Sequence, residues 1–368
     1  MTDQIRHVDN RVGDNRVGGD RVMVTGGVDT HKDFHVAAAK DDLGRLLDTA
    51  TFPATTAGFA ALLAWLQTFG TVSTVGVEGT GSYGAGLARY LTAAGVNVVE
   101  VNRPDRAKRR RHGKSDTHDA ISAAAVVQSG EASAVPKTGT GIAAAVRVLR
   151  TARASAVKSR TVALNQLDSV LVTAPAALRE SLTELTGPAR VAACARLRPT
   201  GALSDPVTAT KTVLRRLARR VHALSTEITD ADTELAPLLT AALPRTMALL
   251  GVGPDTAGQL LSTVGDNPGR FTVESDFAHL CGVAPIEASS GRNSGCWRLN
   301  RGGDRQANAA LYRIVIVRMR HCPTTRAYVA KRTTEGKGKR SIIRCLKRYV
   351  AREIHRTLTA DLATPQAP

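Results

Sequence analysis

Four carboxylates stand out for where they fall. Asp29 ends a short apolar run (MVTGGVD, 23–29), and Glu78 ends another (STVGVE, 73–78). Asp116 and Asp119 lie three residues apart in KSDTHDA, a spacing that puts both on one helix face. Oxygen ligands of this kind hold Mg²⁺, with Mn²⁺ as the alternative. Two such cations activate an attacking oxygen and stabilise the leaving oxygen of a phosphodiester. Taken singly, each acid has a plainer role: a strand-end Asp is usually a turn residue or cap, and acids favour helix N-termini. Asp33 and Asp41 read as loop residues. Glu78 opens EGTGSYG with no following Gly-Lys-Ser/Thr, which excludes a P-loop.

A serine is the second candidate. ASSGRNSG (288–295) is a polar, glycine-flanked stretch. A serine that attacks phosphate needs an exposed hydroxyl, cations for the developing charge and somewhere to lose its proton. The loop supplies exposure, and Arg292, Arg298, Arg301 and Arg305 supply cations. No His/Asp relay is visible nearby, so the four-acid site would have to serve. On residues alone a turn role is the commoner reading.

The elements that must position these groups are legible. Strands at 23–29, 34–41 and 44–52 are followed by a helix at 56–69, whose Phe59, Leu62, Leu63 and Leu66 have helical spacing. A strand at 73–78, a helix at 82–94, a strand at 96–101 and a helix at 115–128 complete the order βββαβαβα. That order makes a mixed sheet with its first and fourth strands as central neighbours. Asp29 and Glu78 then stand side by side, with the helix of Asp116 and Asp119 above them.

Beyond 142 the chain reads as helical. Leu214, Leu217, Val221, Leu224, Ile228, Ala231, Leu235 and Leu238 alternate three- and four-residue spacing, the seam of a coiled coil. Dimerisation is the expectation, against a helical hairpin formed with 146–171. MALLGVGPDTAGQLLSTVGD (247–266) reads as helix, tight glycine turn, helix, a shape that offers backbone N–H groups to phosphate. A helix at 304–319 follows the serine loop, and 326–356 reads as one basic amphipathic helix with an apolar stripe of Ile342, Ile343, Leu346, Tyr349 and Val350. A short near-repeat precedes Met23, which is an alternative start; 1–22 reads as a disordered leader.

Charge supplies the partner class. Fifty Lys and Arg against 32 Asp and Glu give the 368-residue chain a net charge of +18, which points to a polyanion. The excess is concentrated. Arg103, Arg106, Lys108, Arg109, Arg110, Arg111 and Lys114 crowd the segment before the Asp116 helix. Arg292, Arg298, Arg301 and Arg305 surround the serines, and Lys337, Lys339 and Arg340 belong to the tail. Hydrophobic residues at 43% describe a globular chain, and aromatics at 4% argue against base-stacking sheets. Five scattered cysteines with no C-x-x-C pair exclude a zinc ribbon or disulfide framework and fit a reducing cytosol. No apolar stretch approaches the roughly 18 residues of a membrane span.

GVDTHKD, VEGTGSYG, KSDTHDA, the GVGPDTA turn and SSG followed by RLNRGGDRQAN occur in that order. Together they resemble the insertion-sequence family 110 transposases, bridge-RNA-guided DEDD recombinases related to the pilin-gene DNA invertases. The resemblance covers nearly everything from Met23 to the tail. It implies an α/β plus all-α protein: a RuvC-like (RNase H fold) DEDD domain at 23–135, a helical coiled-coil region at 142–243, a mainly helical serine-bearing domain at 244–325, and a basic tail at 326–368. It implies that Asp29, Glu78, Asp116 and Asp119 bind Mg²⁺ and that Ser290, in its Ser-Gly motif, is the nucleophile; Ser289 and Ser294 are less well placed. Further implied are a dimer or tetramer with a composite site between protomers, a phosphoserine link to double-stranded DNA followed by strand exchange, and a structured noncoding guide RNA in the bacterial cytoplasm, at the nucleoid. The rivals are a metal-dependent junction-resolving nuclease in which Ser290 is structural, a DNA invertase, and a non-enzymatic nucleic-acid-binding protein.

Overall fold

A computed structural model describes residues 22–101, 115–289, 295, 297–300 and 302–363. The chain divides into two compact units, with the boundary in sequence between Pro136 and Lys137.

The first unit is built on strands β1 (Met23–Thr30), β2 (Phe34–Lys40), β3 (Leu46–Pro53), β4 (Thr71–Glu78) and β5 (Asn97–Val101), in the spatial order β3-β2-β1-β4-β5. The first three are antiparallel neighbours, while β1–β4 and β4–β5 are parallel. This is the mixed sheet expected from the element order, with β1 and β4 adjacent. Successive residues of a strand face opposite sides of the sheet. Val24, Val28, Val75 and Val77 therefore share one face with Leu62 and Leu66 of α1 (Thr56–Thr68) and Leu87 and Leu91 of α2 (Ala85–Ala93). Thr55 starts α1, its hydroxyl accepting from Gly58 N–H at 3.1 Å.

The opposite face carries α3 (Asp116–Gln128), and small residues let it lie very close. Ala120, Ala123 and Ala124 are buried against the sheet. A Cβ on Gly27 would stand 2.2 Å from Ala124 N and 2.3 Å from Ala120 O; one on Gly76 would stand 2.9 Å from Ala123 O. Glycine in the two central strands is thus what admits the helix backbone.

Among its described residues the second unit is helical apart from one hairpin. Its long helices, α4 (Ile142–Val172) and α7 (Pro206–Ala242), pack against one another. Arg153 pairs with Asp232 and Arg160 with Ser225, so the helices run antiparallel. Within the chain, α4 covers half of the expected seam: Leu214, Val221, Ile228 and Leu235 are buried, Leu217, Leu224 and Ala231 are half-buried, and Leu238 is 38% exposed. Helices α5 (Ala176–Thr183) and α6 (Gly187–Arg196) close the far end of the hairpin around Leu178, Leu182, Val191 and Cys194.

At the near end a larger core joins Val146, Leu235 and Leu239 to α9 (Pro254–Val264), α10 (Glu274–Leu280), α11 (Arg305–His321) and α13 (Lys339–Ala363). Carboxylates brace this junction. Asp266 accepts from Gly141 and Ala143 N–H at the start of α4. Asp255 gathers Arg150, Arg153 and Arg313, and these guanidiniums hold its carboxyl below the usual range despite its burial.

Two expectations change here. The helix before the glycine turn is a single turn, α8 (Pro244–Met247), because Pro244 ends α7 and starts it. At the turn itself Gly253 N–H donates to Thr256 Oγ1, and Arg318 Nε of α11 donates to Leu250 O at 2.7 Å. The tail is two helices rather than one, α12 (Pro323–Thr334) and α13, parted at Gly336, whose φ is 76°. Ile342, Leu346 and Val350 are buried in the core, so most of that stripe serves packing. No helix among the described residues is long and apolar enough to cross a membrane.

Candidate functional site

Three side chains meet at the C-terminal end of β1. Asp29, His31 and Asp116 each place a ligand atom within 4.8 Å of the others. His31 Nε2 lies 3.2 Å from Asp29 Oδ2 and 3.2 Å from Asp116 Oδ2. That nitrogen is buried and is aligned for a hydrogen bond with neither. Asp29 shares a face with Gly27 by strand alternation, so it points toward α3, and Asp116 occupies the first turn of that helix.

Asp119 is one of the buried residues of α3, 7% exposed, and its charge acts on Asp29. Burial, with Asp119 and Asp116 alongside, pushes the Asp29 carboxyl above its ordinary range, against the opposing pull of His31. Glu78 stands at the end of the adjacent strand, opposite Val101 of β5, and its carbonyl accepts from Thr30 Oγ1 at 2.8 Å. It lies on the same face as Gly76, and hence as Asp29, but neither it nor Asp119 belongs to the tight three-residue group. The turn after it, closed by Ser82 N–H and Gly84 N–H on Gly79 O, gives Gly79 a φ of 67°.

His31 was not among the residues that the spacing of acids singled out. It follows Asp29 by two positions, and that interval is its signal: along an extended segment, residues i and i+2 share a face. Phe34 supports the ring, with centroids 5.0 Å apart, and His31 N–H donates to Phe34 O across the β1–β2 turn.

The donor set fits a divalent cation. Two carboxylates converge on an imidazole nitrogen that lacks a good hydrogen bond, and a third acid adds negative charge to a half-buried site. Carboxylate oxygens suit hard divalent cations, and an imidazole among them is a ligand that later first-row metals prefer.

In the second unit the described strands on either side of the serine region pair with each other. Strands β6 (Pro285–Glu287) and β7 (Trp297–Leu299) pair antiparallel, with Glu287 opposite Trp297. Ser289 Oγ accepts from Gly295 N–H at 2.9 Å. Ser290, Arg292, Ser294 and Arg301 lie outside the described residues, as do Arg103, Arg106, Lys108, Arg109, Arg110, Arg111 and Lys114. Arg298 is exposed on β7, Arg305 is exposed at the start of α11, and Lys337, Lys339 and Arg340 are exposed where α13 begins. The RGGDRQAN motif is structural at its centre. Gly303 has a φ of 94°, and a Cβ there would stand 2.5 Å from Leu280 O. Asp304 caps α11, accepting from Gln306 and Ala307 N–H.

Comparisons with known proteins agree with this geometry. Residues 26–174 match the DEDD family of IS110 elements, described as a transposase, and residues 244–330 match a family described as "Transposase IS116/IS110/IS902 family". The chain is 27% identical over 363 residues to the insertion element IS900 uncharacterized 42 kDa protein of Mycobacterium paratuberculosis, covering 85% of this chain and 90% of that protein. It is 32% identical over 138 residues to the insertion element IS110 uncharacterized 43.6 kDa protein of Streptomyces coelicolor, covering 38% and 33% respectively. The two family matches together span more than half of the chain: the first takes in the acid-bearing sheet and α4, the second α8 to α11 with the hairpin. This chain belongs to the IS110 family of transposases, and by family it acts on DNA.

Proposed function

We propose that the protein moves an insertion sequence by metal- and serine-dependent cleavage and exchange of DNA strands. The convergence of Asp29, His31 and Asp116 at the end of β1 carries this reading. Asp29, Glu78, Asp116 and Asp119 form the metal-holding set, with His31 as an added ligand and Mg²⁺ or Mn²⁺ as the ion. A divalent cation bound there neutralises phosphate oxygens and lowers the pKa of a hydroxyl that touches it.

The chain's own residues do the rest. Ser290 Oγ attacks the scissile phosphorus, the bond to the leaving sugar oxygen breaks, and the serine proton ends on that oxygen. The product is a phosphoserine link plus a free strand-end hydroxyl. Attack on that link by the hydroxyl of another strand restores the serine and joins the strands, with no net change in the number of phosphodiester bonds. The Arg298 and Arg305 guanidiniums and the segment Arg103–Lys114 carry the strand backbones. A structured noncoding guide RNA supplies sequence readout by base pairing, in keeping with a chain only 4% aromatic. The protein works as a homo-oligomer, dimer or tetramer, for which the half-buried Leu217 and Leu224 and the exposed Leu238 of α7 offer an apolar contact.

A nicked suicide substrate carrying the element end tests the reading. The native protein is expected to accumulate a covalent protein–DNA adduct resistant to denaturant, and Ser290→Ala is expected to lose it, while Ser289→Ala keeps it. Free cleaved ends with no adduct would identify a hydrolytic nuclease instead. Activity in cells that survives loss of the acids would identify a binding protein that does no chemistry.

A further inference from the structure

The second unit holds a cavity of about 520 Å³ beside the hairpin, and its chemistry is one-sided. Lys347 of α13 forms its inner wall and is only 9% exposed. Its ammonium donates to Asn308 Oδ1 at 2.8 Å, and no ion pair to it is found among the described residues. Asn308 is itself fixed: its Nδ2 donates to Cys281 O at 2.9 Å and Gly282 O at 3.0 Å, which turns the amide oxygen toward the lysine.

Among the described residues, the one acid lining the cavity is already engaged. Asp304 Oδ1 accepts from the first N–H groups of α11, and Oδ2 accepts from Thr263 Oγ1 at 2.6 Å. The other charged walls are Arg298, Arg305 and Arg344. A buried ammonium with one neutral partner is costly to keep. Arg344, three residues earlier on the same helix, adds like charge beside it and raises that cost unless an anion arrives.

We propose that this cavity is a phosphodiester-binding subsite for a DNA strand, with Lys347 as its innermost cation and Asn308 as the residue that positions it. The volume admits a sugar–phosphate unit rather than a bare ion. Trp297, 66% exposed on the rim, presents a flat face to a base or sugar. DNA is favoured over RNA because the cavity wall includes β7, the strand that leaves the serine-bearing loop. The inference rests on the recombinase reading and says where the second unit grips the strand.

The test uses full-length protein without added metal, a short random-sequence DNA duplex, and inorganic phosphate as a small probe. Lys347→Met is expected to weaken DNA binding roughly tenfold or more, the scale of a charge-assisted hydrogen bond. It should also lower the slope of log affinity against log salt by about one. Phosphate is expected to raise the melting temperature of the native protein and not that of Lys347→Met. Unchanged DNA affinity and an equal phosphate response in Lys347→Met would overturn the proposal. Should that variant fail to fold, Arg344→Ala at the exposed rim replaces it: a smaller loss of the same sign supports the subsite, and no change overturns it. Loss of RNA binding with DNA binding intact would overturn the assignment to DNA. These readouts need neither Ser290 nor the metal centre. A failed adduct assay with an intact Lys347 effect would therefore sink the recombinase reading alone, and an intact adduct assay with no Lys347 effect would sink the subsite alone.

Discussion

Asp29→Asn is expected to lower strand cleavage by about three orders of magnitude while raising the melting temperature of the metal-free protein. The first effect follows from removing a charged ligand from a centre whose stabilisation of phosphoryl transfer is worth several kcal/mol, with each tenfold in rate equal to about 1.4 kcal/mol. The second follows from crowding. Asp29 is 8% exposed, and burial, Asp119 and Asp116 all disfavour its charged form. A neutral amide of the same size relieves that repulsion, so function and stability move in opposite directions. Cleavage assays and calorimetry in chelator read the two effects separately. A fall in both activity and melting temperature would mark Asp29 as structural.

Gly27→Val is expected to unfold the first unit or drive α3 off the sheet. Overpacking a core costs about 1–3 kcal/mol when neighbouring side chains can yield. Here the first obstacles are backbone: Ala124 N at 2.2 Å, Ala120 O at 2.3 Å and Ala124 Cα at 2.8 Å from the new Cβ. Helix backbone yields only if α3 leaves the sheet as a whole, so the cost falls in the exceptional range above about 4 kcal/mol. Because α3 carries Asp116 and Asp119, the metal centre should be lost with it. Circular dichroism and limited proteolysis of the full chain check this, with Gly81→Ala as the control, since a Cβ there meets nothing within 4 Å. Native-like melting of Gly27→Val would contradict the packing account.

Much of the first unit was legible because strand and helix periods are local properties. The runs ending in Asp29 and Glu78 are short and apolar, the mark of strands buried on both faces, and βββαβαβα leaves few ways to order a sheet. His31 was hidden because it lies one residue past β1, where a histidine after threonine reads as turn. The partner of α7 was hidden for a different reason. The face of α4 turned to it includes Ala156 and Ala163, which carry little hydropathic contrast, so the leucine stripe looked unpartnered within its own chain. Lys347 was one of eleven basic residues in a segment that reads as one basic amphipathic helix. Charge counts cannot tell which lysine a helix turns inward between Leu346 and Val350. The two-helix tail turns on a single positive φ at Gly336, which spacing does not reveal.

The acids gathered on β1 and α3 are proposed to hold a divalent cation, and titration of the intact chain with Mn²⁺, followed by electron paramagnetic resonance, reads that binding without any DNA. Saturable Mn²⁺ binding displaced by Mg²⁺ is expected, lost in Asp29→Asn and Asp116→Asn and weakened in His31→Ala. Binding of equal strength in the native protein and all three variants would contradict it.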